Sequence, residues 1–188
     1  MDTNISSSTS SSTSSYVNSS TDMHNLDRPY TFWYHNPNDN DWSRESYHQI
    51  LTIKTVEEFW LMISHFTSRR GMFENGMFFM MVDGIIPTWE DPMNINGGSL
   101  SWKVEKKYSN KYWLDSMVHL VSGNFSDSSN ITGISVSPKK GFNIIKLWYS
   151  NDIKKPENIK FPNTFELHSI QPLYKSNCSQ IERDKLKK

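Results

Sequence analysis

The chain has 188 residues, no formal net charge and a single cysteine, Cys178. That length suits one domain plus a tail, and a neutral chain lacks the basic surface that indiscriminate nucleic-acid binding requires. A lone cysteine excludes an internal disulfide framework and fits a reducing compartment, while seven tryptophans exceed what a core of this size needs and raise the expectation that some face a ligand.

Residues 1–22 are almost wholly Ser, Thr, Asn and Asp. Such a tract buries too little apolar area to offset its ordering entropy and is expected to be disordered. It lacks the basic end and apolar core of a signal peptide, and no apolar run in the chain is long enough to cross a bilayer. A folded domain is expected over 23–175, followed by a charged, frayed C-terminus over 176–188.

The aromatic and β-branched run Tyr30–Tyr34 reads as a strand. A loop of turn formers follows from His35 to Asp41 and ends in Trp42. Gln49–Ile53 is the next strand. Thr55 reads as a helix N-cap, with Glu58 at capping-box spacing. The helix it starts runs to about Thr67 and carries two apolar stripes, Phe59/Ile63/Phe66 and Val56/Trp60. One stripe suffices to pack on a sheet, so the second is surplus.

Met77–Val82 reads as a strand ended by Asp83-Gly84. A long proline-bounded loop follows and contains Trp89-Glu90. Leu100–Val104 is a short strand, and Asn110–Val121 a second helix. That helix has a core stripe of Trp113, Met117, Leu120 and Val121 beside an apolar pair, Leu114 and Val118. Ile131–Val136 and Asn143–Tyr149 are strands joined by the basic turn Pro138-Lys139-Lys140-Gly141, and a last strand is expected over Thr164–His168. Short strands with helices inserted singly predict an α+β fold, with helices on one face of a mostly antiparallel sheet.

No phosphate-binding glycine loop, Cys-x-x-Cys pair, nucleophile elbow or paired histidine ligands occur, so no catalytic set, metal site or cofactor is expected. The six histidines are scattered and read as ordinary imidazoles. Trp42 and Trp89 stand apart, because each sits in a polar loop just off a strand, where a core indole is least expected. Two such loops at one sheet edge can form a slot for a flat, positively charged ring such as 7-methylated guanine. Glu90 can accept the guanine N1–H and exocyclic N–H₂ together. Two core tryptophans are the plainer alternative.

The segments Ile86-Pro87-Thr88-Trp89-Glu90-Asp91, Asn96-Gly97-Gly98, Tyr30–Tyr34, Thr55–Trp60 and Gly133–Trp148 closely resemble translation initiation factor 4E, the family that binds the mRNA 5′ cap. The similarity runs from about His24 to Trp148, in order and near family spacing. It implies a curved, mostly antiparallel sheet with two main helices on the convex face and a cap-binding slot on the concave side. It implies a non-catalytic, cytoplasmic, monomeric protein that binds no membrane. Its partners would be capped mRNA (7-methylguanosine triphosphate) and a scaffold factor 4G or 4E-binding-protein-like peptide. On the family pattern Trp42 and Trp89 match the sandwiching pair, Glu90 the guanine-reading carboxylate and Trp148 the residue near the added methyl group. Val56, Trp60 and Leu114 match the dorsal patch that takes a scaffold helix. With Val118 and the N-terminal His24 they would form a groove for that helix; packing against the chain's own N-terminal segment is the alternative.

The phosphate positions depart from the pattern. The family's basic residue after Gly-Gly falls on Ser99, Lys139 matches the basic residue of the turn, and a further basic position falls on Ile144. Lys146 is the replacement expected, because it shares a strand face with Ile144 and Trp148 and the shift is about 6.6 Å. Lys140 is a second replacement, on the solvated turn. Asn25 stands where the family has a proline after its histidine, and Pro156 falls where a third helix would run, which shortens or removes it. The function implied is cap binding in translation initiation with scaffold recruitment. Two other readings stand beside it: a cap-binding competitor that represses translation without recruiting the scaffold, and a peptide-binding module that has lost the cap.

Overall fold

The computed structural model describes residues 23–69 and 71–186; the tail expected to be disordered over 1–22 lies outside the described residues. Among these, seven strands form one curved sheet. They are β1 (Asn25–His35), β2 (Tyr47–Thr55), β3 (Met77–Val82), β4 (Gly98–Glu105), β5 (Ile131–Pro138), β6 (Phe142–Tyr149) and β7 (Leu173–Ser176). The order across the sheet is β2-β1-β3-β5-β6-β4-β7, with neighbours antiparallel throughout. The helices are α1 (Val56–Thr67), α2 (Met72–Asn75), α3 (Ser109–Val121) and α4 (Asn177–Lys185). The architecture is α+β.

Period-two alternation in the strands separates the two faces. Along β4, Leu100, Trp102 and Val104 point to one side, while Ser99, Ser101 and Lys103 point to the other. Along β6, Ile145, Leu147 and Tyr149 join the apolar side, leaving Ile144, Lys146 and Trp148 opposite. The apolar side packs against Phe59, Met62, Ile63 and Phe66 of α1 and Trp113, Met117 and Leu120 of α3 to make the main core. Trp102 and Trp113 are fully buried there. The start of α1 is fixed by the capping box read from the sequence. Glu58 N–H donates to Thr55 Oγ1 at 3.2 Å, and Thr55 N–H donates back to the Glu58 carboxylate at 3.2 Å, a pairing whose loss costs about 1 kcal/mol.

Three segments differ from the sequence reading. Thr164–His168 is a run of turns rather than a strand. Phe165 and Leu167 are both buried in the main core, which gives the alternation of a strand. The backbone bonds are nevertheless local, from Phe165 N–H to Pro162, His168 N–H to Phe165 and Ile170 N–H to Leu167. The last strand is instead β7, a short edge strand with Leu173 exposed, too polar and irregular to read from composition. The C-terminal segment expected to fray forms α4. Its first residue, Asn177, is 1% exposed; its N–H donates to Gly97 O at 2.9 Å and its Nδ2 to Asn94 O at 2.7 Å. The shortened region around Pro156 holds only a single 3₁₀ turn, Pro156–Asn158.

Candidate functional site

The face of the sheet away from α1 and α3 carries a second, smaller apolar cluster of Phe79, Met81, Ile85 and Trp148, with Trp33, Tyr47, Met77 and Trp89 packed against it. Over it opens a cavity of about 740 Å³ whose lining includes Trp42, Trp89, Glu90, Lys146, Trp148 and Asp184. Trp42, Trp89, Glu90, Trp148 and Lys146 are thus brought together, although they are scattered over more than a hundred residues of sequence.

The two loops do not share a sheet edge, as the sequence reading had them. β1 and β3 pair with His35 opposite Met77 and Tyr30 opposite Val82. The Trp42 loop, leaving His35, and the Trp89 loop, leaving Val82, therefore start from opposite ends of the same strand pair. Their walls approach one another from the two ends of the concave face.

The Trp89 wall is held from beneath. Both oxygens of the buried Asp91 carboxylate accept backbone N–H groups, from Ile86 and Met93, at 2.9 Å each. Asn94, fully buried, donates through Nδ2 to the carbonyls of Ile86 (3.1 Å) and Thr88 (2.9 Å). The Gly97-Gly98 pair closes the loop where only glycine fits, since a Cβ on Gly97 would collide with the Tyr149 carbonyl and one on Gly98 with the Tyr174 ring. Trp42 lies in the other wall, 53% exposed, with its indole stacked on His35 at 4.3 Å and an interplanar angle of 3°.

Glu90 sits exposed at the cavity. Its charge reaches Tyr47, whose phenol is pushed up first by burial and then by the Glu90 carboxylate. No hydrogen bond among the described residues engages that carboxylate. Trp148 is 3% exposed and fixed by its Nε1–H, which donates to Ser135 Oγ at 2.9 Å. Lys146 Nζ stands 5.9 Å from the Trp89 ring and 5.7 Å from that of Trp148, so it bridges the loop and the floor. Burial brings its ammonium down to about 8, with Lys139 and Lys175 adding to the effect.

The turn residues Lys139 and Lys140 are exposed and line no part of the cavity. Ser99 is buried opposite Trp148, and Ile144 faces the same way as Lys146 between Ser137 and Lys103. The sequence reading missed His35, Tyr47 and Ser135. In the sequence His35 opens a turn loop, Tyr47 precedes the expected strand and Ser135 is an ordinary strand residue; only the fold brings Tyr47 and Ser135 to the cavity and stacks His35 on Trp42. The register signal was present for Ser135, which is directly opposite Lys146.

On the convex side Val56 and Trp60 of α1 are exposed, at 37% and 49%, while Leu114 and Val118 of α3 are half-buried against the main core. His24 N–H donates to the Glu57 carboxylate at 3.0 Å and its ring Nδ1 lies 2.6 Å from the other oxygen. Those bonds, the ring's first, hold the Glu57 carboxyl at about 2. No group of three or more metal-ligating side chains is found among the described residues, and no described helix is long and apolar enough to cross a membrane.

A sheet packed by helices on one side and carrying an aromatic-lined cavity on the other sets the class: an α+β protein with an aromatic cavity on a curved antiparallel sheet. The sequence profile described as Eukaryotic initiation factor 4E matches residues 25–186, and the chain belongs to that family. It is 30% identical over 132 residues to eukaryotic translation initiation factor 4E-1 of Hordeum vulgare, a match covering 68% of this chain and 61% of that protein. It is 32% identical over 129 residues to eukaryotic translation initiation factor isoform 4E of Capsicum annuum, covering 66% and 64%. The chain thus spans less than two thirds of the length of these curated relatives. Among solved structures it is similar to C. elegans eIF4E-3 in complex with the 4E-binding protein Mextli and a cap analog. That match has a TM-score of 0.70 at 21% identity and covers 88% of this chain and 96% of that one. It is also similar to Ascaris suum eIF4E-3 in complex with an m7G cap, with a TM-score of 0.64 at 23% identity, covering 88% and 86%. At such identities the likeness is one of fold.

Proposed function

We propose that this chain binds the 7-methylguanosine cap of mRNA and acts, without catalysis, in translation initiation. The observation that carries this is the convergence of Trp42, Trp89, Glu90, Lys146 and Trp148 on one cavity. The base enters between the indoles of Trp42 and Trp89, whose π faces attract the positive charge that methylation places on guanine. Glu90 accepts the N1–H and N–H₂ of guanine, a donor pair that adenine does not offer. The Trp89 backbone N–H faces the guanine O6, and Trp148 lies near the methyl group. Lys146 meets the first phosphates, with Lys139 and Lys140 farther out on the turn.

The exposed Val56 and Trp60, with Leu114 and Val118 beside them, form the dorsal surface for an amphipathic helix of a 4G-type scaffold or a 4E-binding protein. The His24–Glu57 pair ties the N-terminal strand to the start of α1 at the edge of this surface. Family membership, and the cap analog and 4E-binding protein named in the complexes of structural relatives, support the reading. It places the protein in the cytoplasm, where capped mRNA is translated.

Titration of tryptophan fluorescence with 7-methyl-GTP and GTP tests it. Quenching at a much lower concentration of the methylated nucleotide is expected; equal affinities would remove the cap from the proposal. A pulldown with a scaffold helix peptide, comparing Trp60→Ala, separates an initiation factor from a cap-binding competitor. Capture lost in the variant is expected, and no capture by the unaltered protein would favour the competitor.

A further inference from the structure

Resting on the cap reading, we propose that the phosphate chain turns toward the β7 edge of the sheet, and that Lys175 supplies the cationic grip the sequence lacks at Ser99 and Ile144.

Strand register sets the geometry. Ser99 of β4 is opposite Trp148 on one side and Lys175 of β7 on the other. Ser101, two residues on, is opposite Lys146 and Leu173. Directly opposed residues of antiparallel strands project to the same face, so Lys146, Ser101, Ser99 and Lys175 all stand on the face of the cavity. Lys175 lies two strands across from Lys146, about 10 Å, and two residues along, about 7 Å. Two lysine side chains reaching toward each other span most of that gap, with the short side chains of Ser99 and Ser101 between them. Ser99 is itself buried and Lys175 exposed, so in this row the lysine is the group a phosphate can meet.

Two observations agree with this path. Lys146 is the cationic residue lining the cavity, so a phosphate chain leaving the base passes it first. Its ammonium is brought down in part by Lys175, which places the two charges within range of one another. Lys139 also acts on it, from the β5–β6 turn at the other end of β6. A triphosphate anion between such like charges relieves their repulsion. On the Lys139 side the path must cross Ile144, an apolar residue that offers phosphate nothing. On the Lys175 side it crosses Ser101.

The experiment measures 7-methyl-GMP and 7-methyl-GTP binding by tryptophan fluorescence for the unaltered protein and for Lys175→Ala and Lys175→Arg. Lys175→Ala is expected to weaken 7-methyl-GTP binding about tenfold, as for loss of one charge-assisted contact, and to leave 7-methyl-GMP binding unchanged. Lys175→Arg should restore most of the triphosphate affinity. If Lys175→Ala keeps the unaltered ratio of the two affinities, or weakens both ligands equally, Lys175 holds no phosphate. If the unaltered protein does not prefer 7-methyl-GTP to GTP, the cap reading itself fails and this inference falls with it.

Discussion

Trp89 sits in a loop whose backbone is bonded to buried side chains of its own turn, Asp91 and Asn94, and sewn to α4 through Asn177. Trp42 sits in a loop bonded almost wholly within itself. Asn36, Asp39 and Asp41 each accept an N–H two residues on, all at exposed positions. Its link to the sheet is the His35 ring, which touches Asp41 O at 2.8 Å and stacks on the indole. Exposed bonds exchange readily with water, whereas a buried polar group that loses its partner pays for full desolvation. One wall is therefore preorganised and carries Glu90, the carboxylate proposed to read the base. On the proposed function, the other is free to shift and close on the bound ring.

The hardest test of that contrast is Trp89→Ala. It removes a stacking face worth about 1–3 kcal/mol and uncovers the small cluster of Phe79, Met81, Ile85 and Trp148. Affinity for 7-methyl-GTP should fall about a hundredfold by fluorescence or calorimetry, and the melting temperature of the free protein should fall with it. An unchanged melting temperature would mean that this wall is not part of the fold.

Asn94→Ala comes next, although Asn94 touches no ligand. It removes the Asn94 donor from the Thr88 carbonyl and leaves the Ile86 carbonyl with the Thr88 N–H alone, at a cost of about 1–3 kcal/mol in stability. A fall in 7-methyl-GTP affinity of about tenfold is expected as Trp89 and Glu90 lose their placement. Lower stability with unaltered affinity would show that the loop reassembles on the ligand, and the contrast between the walls would disappear. Trp42→Ala should give the complementary result. Binding should weaken about tenfold and the melting temperature should hardly move, because the indole is half exposed and rests on a single ring.

The same contrast explains what was legible in the sequence. The strands and main helices follow from alternation and from the Thr55 capping box, which are local patterns. Trp89 and Glu90 stand in a motif whose residues also build the loop, so motif and geometry coincide. The Trp42 loop shows only turn formers and an indole, and nothing local says that it leaves the opposite end of the strand pair. Phe165 and Leu167 misled because alternating burial arises as readily from successive turns as from a strand. β7 and α4 were missed because their anchors, Asn177 on Asn94 and Gly97 and Lys175 opposite Ser99, are contacts across more than seventy residues. No local pattern records such contacts.

The smallest effect expected is one of pH, and it concerns the floor between the walls. Lys146 has its ammonium brought from the ordinary 10.5 down to about 8, first by burial and then by Lys139 and Lys175; Glu90, Tyr47 and Asp184 share the cavity with it. Phosphate binding favours the charged form, so 7-methyl-GTP affinity should be full below pH 8 and decline severalfold as the pH rises past it. Folding responds in the opposite sense. Between about pH 8 and 10.5 the unfolded chain holds a proton at this position that the folded chain has released, so the contribution of Lys146 to stability rises with pH across that window. Lys146→Met should flatten both profiles, weaken 7-methyl-GTP more than 7-methyl-GMP, and stabilise the free protein near neutral pH. A variant that loses affinity while both pH profiles persist would place the titrating group at a residue other than Lys146.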